Sequence, residues 1–385
     1  MNRNDAVIVA YGRSAMTRAY KGSFAHVHPV TYAAETLKGV LARVPRLDPM
    51  DIDDVIVGCA NPEGTQGWNM ARLITQLAGL PKEVSAQTVN RFCSSGLQTI
   101  ATAANGIIAG QYDVVVAGGV ESMSRITAMG LEEKFLNPRL MEIYPEAYMA
   151  PGFTAENTAA LHKVTPEEMA ALAERSHRLA AAAQGEGAFD DQIIPITVTM
   201  PDGTVRTVDR DEGVRPDTTV EGLSRLKPCF GGIVTAGTSS QMTDGASFVV
   251  IMSRAKAEEL GLRPIARYVG FAVAGNESEL MGLGPIYAVP KVLKRTGMTL
   301  EQMDVIELNE AFAAQAIPCI RELGFDMDKV NPEGGAMALG HPLGATGAVL
   351  TCKALSRLQR KGGRYALITM CIGGGMGAAG IFEME

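Results

Sequence analysis

The residue with the clearest capacity for chemistry in this sequence is Cys93. The run Val89-Asn90-Arg91-Phe92-Cys93-Ser94-Ser95-Gly96 passes from strand-like into helix-like residues, and Leu97, Ile100, Ala101, Ala104, Ile107 and Ile108 then recur at helical spacing. A thiol at a helix N-terminus faces unpaired N–H groups and the positive end of the helix dipole, which lower its pKa and favour the thiolate nucleophile. The competing reading is a free cysteine that serves only as a small buried hydrophobe. A nearby base would separate the two. Of the histidines 26, 28, 162, 177 and 341, His341 stands in a glycine-rich loop, Gly334-Gly335-Ala336-Met337-Ala338-Leu339-Gly340-His341-Pro342-Leu343-Gly344-Ala345-Thr346-Gly347, with Pro342 fixing the chain after the imidazole. A histidine held this way is a suitable base for a thiol, although a structural turn histidine fits the same pattern. His26 and His28 read as a solvated loop without further metal ligands at suitable spacing, and His162 and His177 read as surface residues.

A second cysteine occupies Met370-Cys371-Ile372-Gly373-Gly374-Gly375, directly after the strand-like run Tyr365 to Thr369. Successive glycines after a strand present backbone N–H groups that bind an oxyanion or a phosphate. Asn309 and Glu310 fall where another strand gives way to a helix, a usual place for α/β active sites. Each also has a plain structural reading, Asn309 as a helix cap and Glu310 as a buried acid.

The elements that must position these groups alternate strand and helix. Short apolar runs at Ala6 to Ala10, Asp54 to Gly58 and Val114 to Gly119 are separated by helical patterns at Tyr32 to Val44 and Met70 to Ala78, which predicts a β/α unit with a mostly parallel sheet. From Glu121 to about Ala236 the texture changes to methionines 123, 129, 141, 149, 169 and 200, little strand alternation and a helix at Thr165 to Ala183 with Thr165-Pro166-Glu167-Glu168 as its cap. That segment reads as an inserted, lid-like domain. From about Gly261 the first unit recurs: Met50 to Gly58 is echoed by Gln302 to Asn309, Val89-Asn90 by Val330-Asn331, and Val114 to Gly119 by Tyr365 to Gly374. The predicted division is therefore 1–120 with about 236–260 as one half, 121–235 as the insertion, and 261–385 as the second half.

Composition narrows the class. A 385-residue chain with 46% hydrophobic residues can bury a large core, and no apolar run reaches the ~18 residues of a membrane span. Six scattered cysteines without close pairs argue against a disulfide framework or a structural zinc and for a reducing compartment. A formal charge of −7 argues against a nucleic-acid partner, whereas an anionic small molecule needs only a local basic patch.

Taken in order, Val-Asn-Arg-Phe-Cys-Ser-Ser-Gly at 89–96, Asn-Glu-Ala-Phe-Ala at 309–313, Gly-His-Pro-Leu-Gly-Ala-Thr-Gly at 340–347 and Cys-Ile-Gly-Gly-Gly at 371–375 resemble the thiolase family. The likeness extends over the chain, including Gly118-Gly119-Val120-Glu121-Ser122-Met123-Ser124 and Thr235-Ala236-Gly237-Thr238-Ser239-Ser240. It implies a five-layered α/β/α/β/α fold of two duplicated halves with an inserted loop domain. It also implies an acetyl-CoA acyltransferase that cleaves 3-ketoacyl-CoA with coenzyme A. Under that resemblance Cys93 is the nucleophile, His341 its base, and Cys371 the acid and base for acetyl-CoA and CoA. Asn309, by way of a water, and His341 form one oxyanion site, and the N–H groups of Cys93 and Gly373 form the other. Ser240, Arg215, Met281 and Phe312 are implied CoA contacts, with Arg225 and Lys227 as a wider basic patch. Coenzyme A is then a substrate, and no metal or redox cofactor is implied. A cytoplasmic homodimer or homotetramer follows, with the insertion as an assembly surface and a β-oxidation enzyme as a partner. Alternatives are an acetyl-CoA acetyltransferase, a β-ketoacyl synthase, which Cys371 opposes, and a non-catalytic acyl-CoA-binding relative. The segment Ala150-Pro151-Gly152-Phe153 departs from relatives that carry methionine before the glycine, at a position bordering the acyl pocket.

Overall fold

Strand runs that are apolar at nearly every position need cover on both faces, and the computed structural model provides it. It describes residues 5–126 and 136–385; Met129 and part of the predicted insertion lie outside the described residues. The chain runs β1 (Ala6–Arg13), β2 (Thr17–Arg18), α1 (Pro29–Leu41), β3 (Asp54–Gly58), α2 (Met70–Leu77), β4 (Ser85–Val89), α3 (Ser95–Ile108) and β5 (Val114–Ser122). Between β5 and β8 come α4 (Pro138–Ile143), α5 (Pro151–His162), α6 (Pro166–Gly185), β6 (Ile196–Thr199), β7 (Val205–Val208) and α7 (Val220–Ser224). The remainder is β8 (Thr243–Ser253), α8 (Arg254–Glu259), β9 (Ala266–Gly275), α9 (Gly284–Thr296), β10 (Val305–Leu308), α10 (Ala313–Leu323), α11 (Ala336–Leu339), α12 (Leu343–Lys361), β11 (Tyr365–Ile372) and β12 (Met376–Met384).

Among the described residues the strands follow the order β10-β11-β12-β9-β1-β8-β5-β3-β4, with β2 added beside β8. The first half supplies β4, β3 and β5 in parallel, then β8 and β1 antiparallel. The second repeats this with β10 and β11 parallel, then β12 and β9 antiparallel. Its counterpart of β4 is reduced to one parallel bridge, Ile306 to Val330. The halves join where β1 pairs with β9, Val7 opposite Arg267. A side-chain device marks the repeat: Asp53 Oδ2 accepts from the N–H groups of Asp113 and Val114 at 2.7 and 2.9 Å, and Asp304 Oδ2 from those of Arg364 and Tyr365 at 2.7 and 3.0 Å.

Strand alternation sorts side chains into layers. Val114, Val116, Phe248 and Val250 pack outward on α1 and α2, while Val115, Ala117, Val249 and Ile251 pack inward on α3 and α12. From the other half, Ala366, Ile368 and Met370 meet the same central helices, and Leu367, Ala379 and Ile381 face α9 and α10. Five layers result, helices outside, helices in the middle, and sheet between, as the sequence resemblance implies.

The sheet is mixed where a mostly parallel one was expected: β3–β4, β3–β5 and β10–β11 pair in parallel, while β1 pairs antiparallel with both β8 and β9. Two local expectations change as well. The segment read as an insertion contains a two-stranded sheet, β6 with β7; β6 alternates buried and exposed residues over only four positions, and β7 is exposed at all but its last. His177, expected at the surface, is buried on the inner face of α6. The α6 cap is as read: Thr165 and Glu168 form a reciprocal capping box ahead of Pro166.

Candidate active site

The two central helices start side by side, and each carries a reactive side chain just before its first turn. Cys93 lies in a short 3-10 turn, Phe92–Ser94, between β4 and α3. Phe92 there takes a left-handed backbone, φ 42°, held by its N–H on Asn90 Oδ1 at 2.8 Å and by Ser95 Oγ donating to its carbonyl at 2.7 Å. His341 precedes α12 in the corresponding way. The helix starts pack backbone to backbone: a Cβ on Gly347 would come within 2.2 Å of Leu97 N, and one on Gly96 within 2.9 Å of Gly344 O. Glycine is required at this approach for lack of space.

Cys371 is a buried residue near the end of β11, and Gly373 follows in the turn to β12. Burial pushes the Cys93 thiol up to about 11; the Gly373 N–H, aimed at the sulfur, pulls it back, the Glu121 carboxylate raises it, and its own N–H lowers it. The expected lowering by the helix N-terminus is therefore outweighed: desolvation of a thiolate exceeds the gain from two N–H groups. Cys371 is held well above the ordinary thiol range, first by burial and then by Cys93 and Cys319 nearby. Burial takes His341 down to about 4. The resting site at neutral pH thus holds two thiols and a neutral imidazole.

The imidazole is clasped on both nitrogens. Nδ1 meets Thr346 Oγ1 at 2.6 Å and Nε2 meets Asn309 Nδ2 at 3.3 Å. With the Nδ1 proton donated to Thr346, Nε2 is the acceptor nitrogen, and in the resting site its lone pair takes the Asn309 Nδ2 N–H, a contact that must yield before Nε2 receives a proton. Asn309 does not cap α10, whose cap position is Phe312; its own Oδ1 is buried without a partner. The His341 backbone N–H donates to Gln241 O and Thr243 Oγ1, both at 3.1 Å, and Gln241 Nε2 donates to the carbonyls of Met337 and Ala338 at 3.0 and 3.1 Å. Thr346, Thr243 and Gln241 carried no sequence signal beyond lying in or beside the glycine loop and the segment before β8.

The other expected contacts fall into separate groups. Ser240 donates its N–H to Ala311 O at 2.9 Å, and Ser239 bridges to Phe312, so Ser240 and Phe312 lie on adjoining backbone segments. Phe312 continues edge-to-face into Phe230 and then Phe153, with centroids 6.4 and 5.9 Å apart. Pro151 opens α5 beneath this ladder, and the ring of Phe230 fills the space above Gly152. Met281 is buried in the turn Ser278–Leu283, which is tied to the glycine turn by Ser278 Oγ donating to Gly374 O at 3.2 Å. Arg215, Arg225 and Lys227 are exposed, and the Arg215 N–H donates to His177 Nδ1 at 3.1 Å. No cluster of three or more potential metal ligands occurs among the described residues.

Residues 6–255 match the family model for the thiolase N-terminal domain and residues 262–384 that for the thiolase C-terminal domain. The chain belongs to the thiolase family. Within it, the chain is 50% identical to a 3-ketoacyl-CoA thiolase of Bacillus subtilis (strain 168), covering 99% of each. It is 46% identical to a 3-ketoacyl-CoA thiolase of Marinomonas sp. (strain MWYL1), covering 100% of this chain and 99% of the relative. The dimeric peroxisomal thiolase of Saccharomyces cerevisiae superposes with TM-score 0.93 at 39% identity, over 100% of this chain and 98% of that one. An acetyl-CoA acetyltransferase of Bacillus anthracis superposes with TM-score 0.91 at 39% identity, over 99% of each chain.

Proposed function

We propose that Cys93, His341, Cys371, Asn309 and Gly373 carry out the thiolysis of 3-ketoacyl-CoA by CoA. The protein is an acetyl-CoA C-acyltransferase, in line with 3-ketoacyl-CoA thiolases that match it from end to end. The observation that carries the assignment of roles is the Cys93 thiol under the Gly373 N–H with Cys371 beside it.

Cys93 Sγ attacks the keto carbon as its proton passes to His341 Nε2. With the thiol near 11 and the imidazole near 4, proton transfer accompanies attack and no thiolate is stored. Collapse breaks the bond between the keto carbon and its α-carbon, leaving an acyl thioester on Cys93 and the acetyl-CoA enolate. Cys371 gives that carbanion its proton; a thiol of raised pKa suffices because the carbanion is a far stronger base. The Cys371 thiolate then takes the proton of incoming CoA, whose sulfur attacks the acyl group. The tetrahedral oxyanion is stabilised by the N–H groups of Cys93 and Gly373, each such donor worth ~3 kcal/mol. Cys93 leaves and recovers its proton from His341. Asn309 and His341 stabilise oxyanion charge at the other stage. Protons and electron pairs balance over the cycle with no redox or metal cofactor; CoA enters as substrate.

CoA is read as lying along Ser240 and Phe312, with Met281 beneath and Arg215, with Arg225 and Lys227, toward its phosphates; adjoining backbone at Ser240 and Ala311 supports the first pair. The same reading divides the chain into halves 1–120 with 236–260, and 261–385, around an insertion at 121–235. It places the enzyme in fatty-acid β-oxidation in the cytoplasm, for which its six free cysteines speak. No described helix is long and apolar enough to cross a membrane. As assembly we infer a homodimer, with a homotetramer or a β-oxidation partner enzyme as larger states. The edge strand β4 is only partly covered, and Trp68, ahead of α2, is 88% exposed, which favours this edge over the insertion as the interface.

Thiolysis of acetoacetyl-CoA and of a longer 3-ketoacyl-CoA, measured in parallel with Cys93→Ala as control, tests the reading. Turnover of the longer substrate that exceeds that of acetoacetyl-CoA and disappears in the variant supports it. Activity confined to acetoacetyl-CoA makes the chain an acetyl-CoA acetyltransferase, and activity on neither returns the binding-protein reading.

A further inference from the structure

We propose that Glu121 and Glu310, a buried carboxylate from each half, are positioning residues that clamp the two ends of the His341 segment, with Ser176 of the insertion acting through Glu310. The proposal rests on His341 being the base for Cys93.

The His341 segment enters through α11 and leaves through the first turn of α12. At the entry, Glu310 Oε2 accepts from Met337 N at 3.3 Å and Ser176 Oγ at 2.7 Å, and its Oε1 accepts from Asn331 Nδ2 at 2.9 Å. Ser176 Oγ in turn accepts from Gly335 N at 3.0 Å. At the exit, Glu121 accepts from Gly344 N at 2.9 Å, Ala60 N at 2.8 Å, Gln66 Nε2 at 2.8 Å and Asn61 N at 3.3 Å. Met337 lies four residues before His341 and Gly344 three after it. Between them the segment is held through His341 N to Gln241 and Thr243. A central attachment alone leaves the loop free to pivot; two end clamps remove that freedom and fix the spacing of His341 to Asn309.

Both carboxylates are enclosed, and almost every partner is an obligate donor. An acceptor-only group matches such a set, whereas a carboxamide of the same shape turns an NH₂ toward other N–H groups. Space is equally committed: a Cβ on Gly335 would sit 2.2 Å from the Glu310 carboxyl carbon, and one on Gly344 would sit 2.9 Å from Glu121 Oε2. Asn331 is fixed too, exchanging hydrogen bonds with Leu308 N and O at 2.9 and 2.8 Å, which ties the entry clamp to the strand that delivers Asn309. None of these residues belongs to the CoA contacts described above, so displacing them affects the chemical step ahead of binding.

The test is steady-state thiolysis by the full-length enzyme and its E310Q, E121Q, S176A and S176A/E310Q variants, with H341A as reference and thermal melting alongside. Misplacing a base by about 1 Å costs ~100-fold, so E310Q and E121Q are expected to lose about that in kcat with KM for CoA within ~2-fold of wild type. S176A, which removes the two hydrogen bonds of Oγ and is the mildest to the fold, is expected to lose ~10-fold, and to lose no more in the E310Q background. Wild-type kcat in S176A and E310Q overturns the clamp, as does a loss that raises KM in proportion or follows the melting temperature. If H341A itself turns over like wild type, the assignment of His341 as base has failed; if H341A is inactive while E310Q and S176A are not, only the clamp has failed.

Discussion

The starts of α3 and α12 are the same structural position used for two different purposes. Each is the N-terminus of a central helix, and in each half an equivalent aspartate, Asp53 in one and Asp304 in the other, holds the start of the strand that follows that helix. In the first half the residue before the helix is a thiol with N–H groups directed at it; in the second it is an imidazole with both nitrogens clasped. The strand ends differ in the complementary sense. Near the end of β5 stands Glu121, an acceptor that binds the start of the other half's helix, whereas near the end of β11 stand Cys371 and, just past it, the donor Gly373, directed at the first half's thiol. Each half thus completes the other's site. A duplicated scaffold brings two helix starts together, with a thiol before one and an imidazole before the other.

Exchanging roles breaks this comparison most severely. Cys93→Ala removes the group proposed to carry the acyl chain and is expected to lower kcat ~10⁴-fold or more, measured as thiolysis of a 3-ketoacyl-CoA. His341→Ala leaves the thiol without a base and is expected to cost ~10²–10⁴-fold in kcat, checked in the same assay. Equal activity of either variant and wild type means the two helix starts do not share one reaction.

The asymmetry also has a pH signature. His341 stays neutral in the folded protein down to about 4, whereas an unfolded histidine protonates near 6.5. Below the unfolded value the unfolded chain binds a proton that the native one does not. Stability is therefore complete above pH 6.5, falls as pH drops through the interval, and stops falling from this source below about 4, the loss being on the order of 3 kcal/mol. His177, lowered to about 4 by burial and then by Arg215, adds a contribution of the same sign. Denaturant titrations at pH 7.5 and 4.5 are expected to show a smaller loss in His177→Gln and His341→Gln than in wild type.

Smaller changes sharpen the comparison. Thr346→Val removes the hydroxyl beside Nδ1 and is expected to lower kcat ~10-fold without changing KM, since it orients the base and touches no substrate. Asp53→Asn and Asp304→Asn, the shared anchors, are expected to destabilise the protein by similar amounts, about 1 kcal/mol each, read from denaturant midpoints. A clear inequality between them would mean that the repeat is no longer symmetric in energy even where it is symmetric in geometry.

The reactive residues were legible because their neighbours are unusual: glycines beside His341 and Cys371, and a strand-to-helix change at Cys93. The buried strand β5 was legible because it is apolar at positions facing both sides, whereas the five layers came only from the family resemblance. The sheet β6–β7 was not, because the alternation of β6 spans only four residues and β7 is mostly exposed, and the burial of His177 was not, because one polar residue on an alanine-rich helix does not reveal which face meets the core.

What the residues determined by themselves is therefore the set of chemical groups, part of the strand and helix order and a loose internal repeat, all of which depend on local spacing. Only the tertiary structure decided how those groups behave. The helix N-terminus alone predicts a lowered thiol pKa at Cys93, but enclosure by both halves costs the thiolate more hydration than two N–H groups return, and the thiol rises instead. Likewise Glu121, Ser176 and Thr346 are ordinary polar residues in sequence, and their relation to His341 exists only once distant segments have converged. Hydrogen bonding and desolvation depend on which atoms surround a group, and across separations this long the fold alone sets those surroundings.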